Sequence, residues 1–489
     1  MLIRNAAIVP VTSPAPAEPV DVLVEDGRVA AVGPGLRVGS EHEPYDADGR
    51  WLIPGLWDQH VHAGQWARAA TRLDLSAADS PEEALAGVRE RLREQPGRPV
   101  VGAGHRAGTW PRPVTVTELD AVAGDTPVVL INSDFHHAWM SSTALDALGL
   151  VRRDTVVSET EWYAASPRLA ALEADAATPA AYARMLRAAA ALGVVGLADF
   201  EFGVHHRDWE QRWDAGCDLL RVRCSTYDLD TFAGRRTGDE LRPGLTVGPL
   251  KIISDGSLGT RTAWCCRPYA DTGEYGAPNL PAAELERQLA RAHAQGVAVA
   301  THAIGDRAVE VALDAYERTG ARGSIEHAQL IRPEDAVRMA ALRLVASVQP
   351  AHLLDDRDVV ERIWPGQGER SFAFRWLRDA GVTLALGSDA PVAPLDPWLA
   401  IAAAVHRTGD AREPWQPGQA LTVGEALAAS VDGQPTVAVG GRADLVLLER
   451  DPLAATPDQL RSMPVALTVV AGRVVHDGLA GGSGEARPM

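Results

Sequence analysis

Through the middle of the chain, short apolar runs end in polar or charged residues and alternate with amphipathic stretches. From residue 51 the runs read WLIPGLWDQHVH, then GVVGLADFE at 193, LLRVRCSTYD at 219 and PLKIISDGS at 249. GVAVATHAIGD follows at 296, GSIEHAQ at 323, LVASVQPAH at 344 and GVTLALGSDAP at 381. Between them, AAELERQLARAHAQG and RAVEVALDAYERTG repeat their apolar residues at helical spacing. Eight strands in β/α alternation predict a (β/α)8 TIM-like barrel. The first gap is too long for one helix. Residues 63–190 therefore read as an insertion after the first strand. It includes the strand-like PVVGAGH and PVVLINSDFHHAW and is expected at the catalytic end.

Both ends of the chain have a different texture. LIRNAAIV, VDVLVEDG and RVAAVGPG are short strand patterns, with Asp26-Gly27 marking a hairpin between the last two. ADLVLLERDP and PVALTVVAGRVVHDG repeat that texture near the other end. The expected fold class is thus α/β, a barrel over 51–414 with a small composite β-sandwich domain formed by both termini, 1–50 and 415–480. MLIRNAAIVPV has a very short apolar stretch and no convincing cleavage site, so it reads as a first strand.

Composition narrows the function classes. Sixty-five acidic against 47 basic residues leave a net charge of −18, with no basic block. That argues against nucleic acid and anionic membrane surfaces as partners. No apolar run approaches the roughly 18 residues of a transmembrane helix. Four cysteines in 489 residues are no disulfide framework, so a reduced, cytoplasmic protein is expected. The expected partner is a small-molecule substrate, and a homodimer is compatible with the sequence.

The ends of the predicted barrel strands carry the chemistry, because barrel strands aim their C-terminal ends at one site. Strand one ends in His60-Val61-His62, and the i, i+2 spacing turns both imidazoles the same way. Lys251 lies on strand four, His302 on five, His327 on six and Asp389 at the end of eight. Imidazoles and a carboxylate without cysteine suit zinc, and also manganese, iron or nickel. A second metal needs a bridging anion. Lys251 is the only lysine beside 46 arginines. A buried lysine loses its charge readily, and its neutral amine can take up carbon dioxide as a carbamate; a guanidinium cannot. A salt bridge from Lys251 to Asp255 or another acid is the alternative.

The segments PGLWDQHVH, KIISDGSLGTRTA, THAIGDRA, IEHAQ, SVQPAH, LGSDAPV and GGRADLVLLERDP resemble the amidohydrolase superfamily. Within it they are most similar to the amidohydrolase-3 family of YtcJ-like and N-substituted formamide deformylase-like metal-dependent hydrolases. The resemblance spans nearly the whole chain. It implies a metal cluster of His60, His62, Lys251, His302, His327 and Asp389, with two zinc ions and Lys251 carboxylated. It implies hydrolysis of a non-peptide C–N bond (amide, formamide or cyclic amide) by metal-activated water, with Asp389 as proton shuttle. An ester or lactone hydrolase is the alternative, and a non-catalytic scaffold should have lost ligands that are all present here. His136, His137, Arg261, Trp264 and His352 of strand seven are candidate substrate contacts. Arg261 is read equally as a loop brace. Trp66, Trp110, Trp139, Trp162 and Trp264 suggest an apolar or aromatic substrate group, ordinary packing being the alternative. One departure stands out: Ser141 occupies a position, two after Trp139, where the family commonly has asparagine.

Overall fold

The computed structural model describes residues 1–37, 44–69, 71–107, 110–132, 137–173, 178–203, 206–434 and 436–479. Its central sheet has eight parallel strands. They are β1 (Leu56–Val61), β2 (Val194–Asp199), β3 (Arg221–Thr226), β4 (Leu245–Ile253), β5 (Val299–Ala303), β6 (Gly323–His327), β7 (Val345–Val348) and β8 (Thr383–Leu386). Each pairs with the next in parallel, so Lys251 sits opposite Ala300 and His302 opposite Glu326. All six residues of β2 are buried, as expected where both faces of a parallel sheet are covered. The helices between strands follow their predicted stripes. Ala282–Gln295 buries Leu285, Leu289 and Ala292 and stops at Gly296, whose φ of 73° is left-handed.

The first and last strands meet at the site. A parallel bridge joins Val61 to Ala390. The Asp389 amide donates to the His60 carbonyl at 2.7 Å, and the His62 amide to the Ala390 carbonyl at 2.9 Å. Gly387 permits this approach, because a Cβ there would lie 2.7 Å from the His60 nitrogen.

The run at 51–62 is not one barrel strand, contrary to expectation. Trp51–Pro54 pairs with Leu445–Leu448 and with Leu2–Ile8, and only Leu56–Val61 enters the barrel. The break falls at Gly55, where a Cβ would collide with the Val195 side chain at 2.3 Å. A continuous apolar run conceals such a break, because both halves are buried. Trp51–Pro54 sits inside a sheet built from both ends of the chain. In order its strands are Arg473–Asp477, Val465–Val470, Leu445–Leu448, Trp51–Pro54, Leu2–Ile8, Val20–Glu25 and Arg28–Gly33, with Pro44–Asp46 beside Leu2–Ile8. Ile3, Val22, Leu52, Leu447 and Leu467 share its core. Asp26 and Gly27 take the left-handed φ values, 47° and 71°, that a tight hairpin needs.

Residues 1–63 with 183–489 form one compact unit, and 64–182 form another. The latter has its own sheet, in the order Leu73–Asp74, Val100–His105, Val128–Asn132, His137–Met140 and Val157–Ser158. Trp110, Trp139 and Trp162 are buried in its cores, so packing accounts for them. Ser141 caps the helix Ser142–Ala147 by accepting from the Ala144 amide, and it also accepts from the Val128 amide at 2.9 Å. Among the described residues, no helix is long and apolar enough to cross a membrane.

Candidate metal centre

His60 ends up at the middle of a buried cluster. Its Nδ1 lies 2.7 Å from Glu326 Oε2, and its Nε2 lies 3.2 Å from Lys251 Nζ and 3.5 Å from Asp389 Oδ1. His62 follows β1, and its Nε2 lies 3.2 Å from the same Asp389 oxygen. The His327 ring stands 5.1 Å from that of His60 and 4.6 Å from that of His302. The six strand-end residues are therefore neighbours in space. Among the described residues, His60, His327 and Asp389 bring one donor atom each within 4.8 Å of one another.

Backbone geometry makes this possible. In β6, alternation would send Glu326 and His327 to opposite faces. His327 instead adopts φ 70°, and both residues become buried beside His60. Asp389 is likewise left-handed, at φ 58°. Such conformations cost roughly 1–3 kcal/mol for a non-glycine residue and persist where their surroundings hold them.

The electrostatics follow from burial. Burial pushes the His60 imidazole down to about 4, and the Lys251 charge acts in the same direction. His327 is held well below the usual histidine range, first by burial and then by His302. Burial alone would raise the Asp389 carboxyl, but the His60, His62, His327 and His352 imidazoles hold it well below the carboxylate range. Burial lowers the Lys251 amine to about 8, against the opposing pull of Glu326 and Asp389.

The donor set fits a cation. With Nδ1 donating to Glu326, a neutral His60 presents its Nε2 lone pair toward an Asp389 oxygen. Those two electron-rich atoms repel unless positive charge lies between them. The buried Lys251 amine can supply only part of that charge. His62 Nδ1 is also buried without a partner among the described residues. Asp255 does not pair with Lys251, as one reading of the sequence had it. It accepts from the Trp264, Ile304 and Gly305 amides and lies 3.1 Å from His302 Nδ1. Among the described residues no carboxylate lies within salt-bridge distance of Lys251; its amine lies over the Phe200 ring, 4.5 Å from the ring centre.

The candidate substrate contacts separate. His352 opens the helix His352–Ile363 instead of belonging to β7, which ends at Val348. Its ring stacks 6.3 Å from that of His327, and its buried Nε2 has no partner among the described residues. Arg261 binds Asp271 through two nitrogens, at 2.9 and 3.1 Å, and so braces its loop. Trp264 contributes its backbone: its carbonyl accepts from the Arg307 and Ala308 amides. His137 belongs to the 64–182 unit, where its ring lies 6.2 Å from His105. His136 lies outside the described residues.

Sequence reasoning overlooked Glu326 and Asp58. Asp58 is fully buried and accepts from the His60 amide at 3.1 Å and the Ser388 amide at 2.9 Å. Burial raises its carboxyl to about 6 against those bonds. The available signal was an acid inside an otherwise apolar strand, at GSIEH and LWDQH. Asp199 bonds the Ala63 and Glu201 amides and the Trp209 indole, a structural role.

Known proteins share this arrangement of chain. The amidohydrolase family model matches residues 43–476. The chain is 28% identical to the putative amidohydrolase YtcJ of Bacillus subtilis (strain 168), over 93% of this chain and 96% of that protein. It is 26% identical to the N-substituted formamide deformylase of Arthrobacter pascens, over 92% and 94%. An uncharacterized metal-dependent hydrolase from Pyrococcus horikoshii ot3 superposes with a TM-score of 0.78 at 26% identity, covering 94% of this chain and 99% of that one.

Proposed function

Because this chain belongs to the amidohydrolase family, we propose that it hydrolyses a non-peptide C–N bond of a small molecule: an amide, a formamide or a cyclic amide. The observation that carries this reading is the buried set of His60, His327 and Asp389, with donor atoms within 4.8 Å. The similarity to an N-substituted formamide deformylase supports the bond class.

In this reading His60, His62, Lys251, His302, His327 and Asp389 hold two divalent ions, zinc being the first choice, with Lys251 as a carbamate. A bound divalent cation polarises a carbonyl and lowers the pKa of water toward neutrality. The chain's own groups do the rest. Glu326 holds the proton on His60 Nδ1 and so leaves Nε2 unprotonated. Asp255 sets a carboxylate oxygen 3.1 Å from His302 Nδ1. Burial leaves Lys251 an appreciable neutral fraction, and its lone pair adds to carbon dioxide with loss of one proton to solvent. The ionised Asp389 carboxylate takes a proton from the attacking water and returns it to the leaving nitrogen. His352, whose buried Nε2 has no partner among the described residues and whose ring stacks on that of His327, would hydrogen-bond the substrate carbonyl or its leaving group.

The same reading treats 1–50 and 415–480, with the strand Trp51–Pro54 between them, as a composite β-sandwich domain attached to a barrel that begins at Leu56. It takes the compartment to be the cytoplasm. Metal analysis combined with a panel of formamides, amides, cyclic amides, esters and lactones tests it. Metal-dependent turnover of C–N substrates is expected. Turnover confined to esters or lactones would replace the bond class, and a metal-free protein inert on the panel would overturn the reading.

A further inference from the structure

The turn that carries His327 into the cluster is tied to the helix that carries His352. His327 and Ala328 are left-handed in succession, at φ 70° and 43°. Just beyond them the Gln329 carbonyl accepts from the Phe372 amide at 2.8 Å, and Leu330 bridges Ser371. The Gln329 side chain is buried and donates through Nε2 to Asp356 Oδ2 at 2.8 Å. Asp356 lies on the helix His352–Ile363, four residues after His352 and therefore on the same face. The His352 ring in turn faces that of His327, 6.3 Å away and within 23° of parallel. Two imidazoles from separate elements are thus linked by one side-chain hydrogen bond.

His352 sits where a helix is least constrained. Among the described residues no side chain caps the N-terminus of His352–Ile363, and the His352 amide reaches the Gln349 carbonyl at 3.2 Å. The first amides of a helix have no partner within it, so an uncapped first turn is held weakly. The identity of the partner on Asp356 is informative too. Buried Asp306 and Asp335 are each bound by an arginine. Asp356 is bound by a neutral amide, and among the described residues no cationic side chain lies within salt-bridge distance of it. A guanidinium in this place would set a fixed positive charge beside the candidate metal centre, where it would repel a cation. The glutamine supplies the bond without the charge.

We infer that Asp356, through Gln329, is a positioning residue that holds the His352 imidazole against His327. The inference rests on the proposed hydrolase reading, in which His352 meets the substrate, and adds the pair that sets His352 in place. The clasp works in both directions. Left-handed conformations such as those of His327 and Ala328 persist only where their surroundings hold them, and Asp356 anchors the side chain that follows them.

The test compares the metal-loaded protein with Asp356→Ala, Asp356→Asn, Gln329→Ala, His352→Ala and the double variant Asp356→Ala/His352→Ala. In protein carrying 13C-labelled histidine rings, the signal lost in His352→Ala identifies His352. That signal should shift or broaden in Asp356→Ala and Gln329→Ala, and return in Asp356→Asn, whose amide oxygen still accepts from Gln329. On a C–N substrate, Asp356→Ala should lower kcat/KM by roughly 10- to 100-fold. The double variant should fall within about twofold of His352→Ala, because a residue that acts through His352 then has nothing left to act on. An unmoved His352 signal, or losses that multiply in the double variant, would overturn the inference. Gln329→Ala removes the same bond from outside the helix and decides the matter if Asp356→Ala does not fold. If no C–N substrate is turned over but the His352 signal still follows Asp356, the positioning role stands and the hydrolase reading falls.

Discussion

Glu326 Oε2 lies 2.7 Å from His60 Nδ1, and both side chains are 1% exposed. The pair fixes the tautomer and the orientation of the imidazole at the centre of the cluster. Burial alone would raise the Glu326 carboxyl, but the bond to His60 and the nearby Lys251 charge hold it below its usual value. Glu326→Gln should weaken metal affinity by roughly 10- to 100-fold, the range for outer partners of ligating histidines. Chelator competition measures this, and unchanged circular dichroism shows that the fold survives. An unaltered affinity would remove Glu326 from the site.

Lys251 distinguishes a carbamate from a bare amine. In Lys251→Arg a guanidinium, which stays protonated at accessible pH, replaces an amine that burial lowers to about 8. The variant should bind at most one metal per chain and lose most turnover. With 13C-labelled bicarbonate, the wild type should show a carbamate resonance that the variant lacks. Two metals per variant chain would refute the bridge.

Asp389 serves as ligand and proton carrier in the proposed chemistry. Asp389→Asn keeps an oxygen donor but cannot take up a proton at neutral pH. It should retain much of its metal while kcat falls by about 100- to 10,000-fold, the usual worth of general acid–base catalysis. Elemental analysis beside steady-state kinetics separates the two roles. Near-wild-type kcat would sink the shuttle.

Asp58 ties β1 to the end of β8 through the His60 and Ser388 amides. Asp58→Ala leaves two buried amides without their acceptor, at about 1–3 kcal/mol each. The melting temperature should fall by several degrees, with a parallel loss of metal affinity because His60 is no longer seated. A melting temperature equal to wild type would show that the closure does not depend on Asp58.

The chain order alone settles much of this protein. Eight apolar runs in β/α alternation anticipate the parallel sheet, because burial on both faces leaves an unmistakable run of Val, Ile, Leu and Ala. It also places six histidine, lysine and aspartate side chains at strand ends, where a barrel brings sequence-distant residues together. The lone lysine among 46 arginines marked a special position before any geometry was known.

Tertiary structure decided the rest, because the rest depends on contacts between segments far apart in sequence. Gly55 splits an apolar run because Val195 packs where its Cβ would be. Glu326 reaches His60 although His327, the next residue, also enters the site, and periodicity cannot foresee the left-handed backbone that allows both. Asp255 turns to His302 and three backbone amides instead of Lys251. Strand pattern announces which face a residue joins. Which neighbour it meets there, and in what charge state, is settled only when the first and last strands close over the same buried carboxylate and imidazoles.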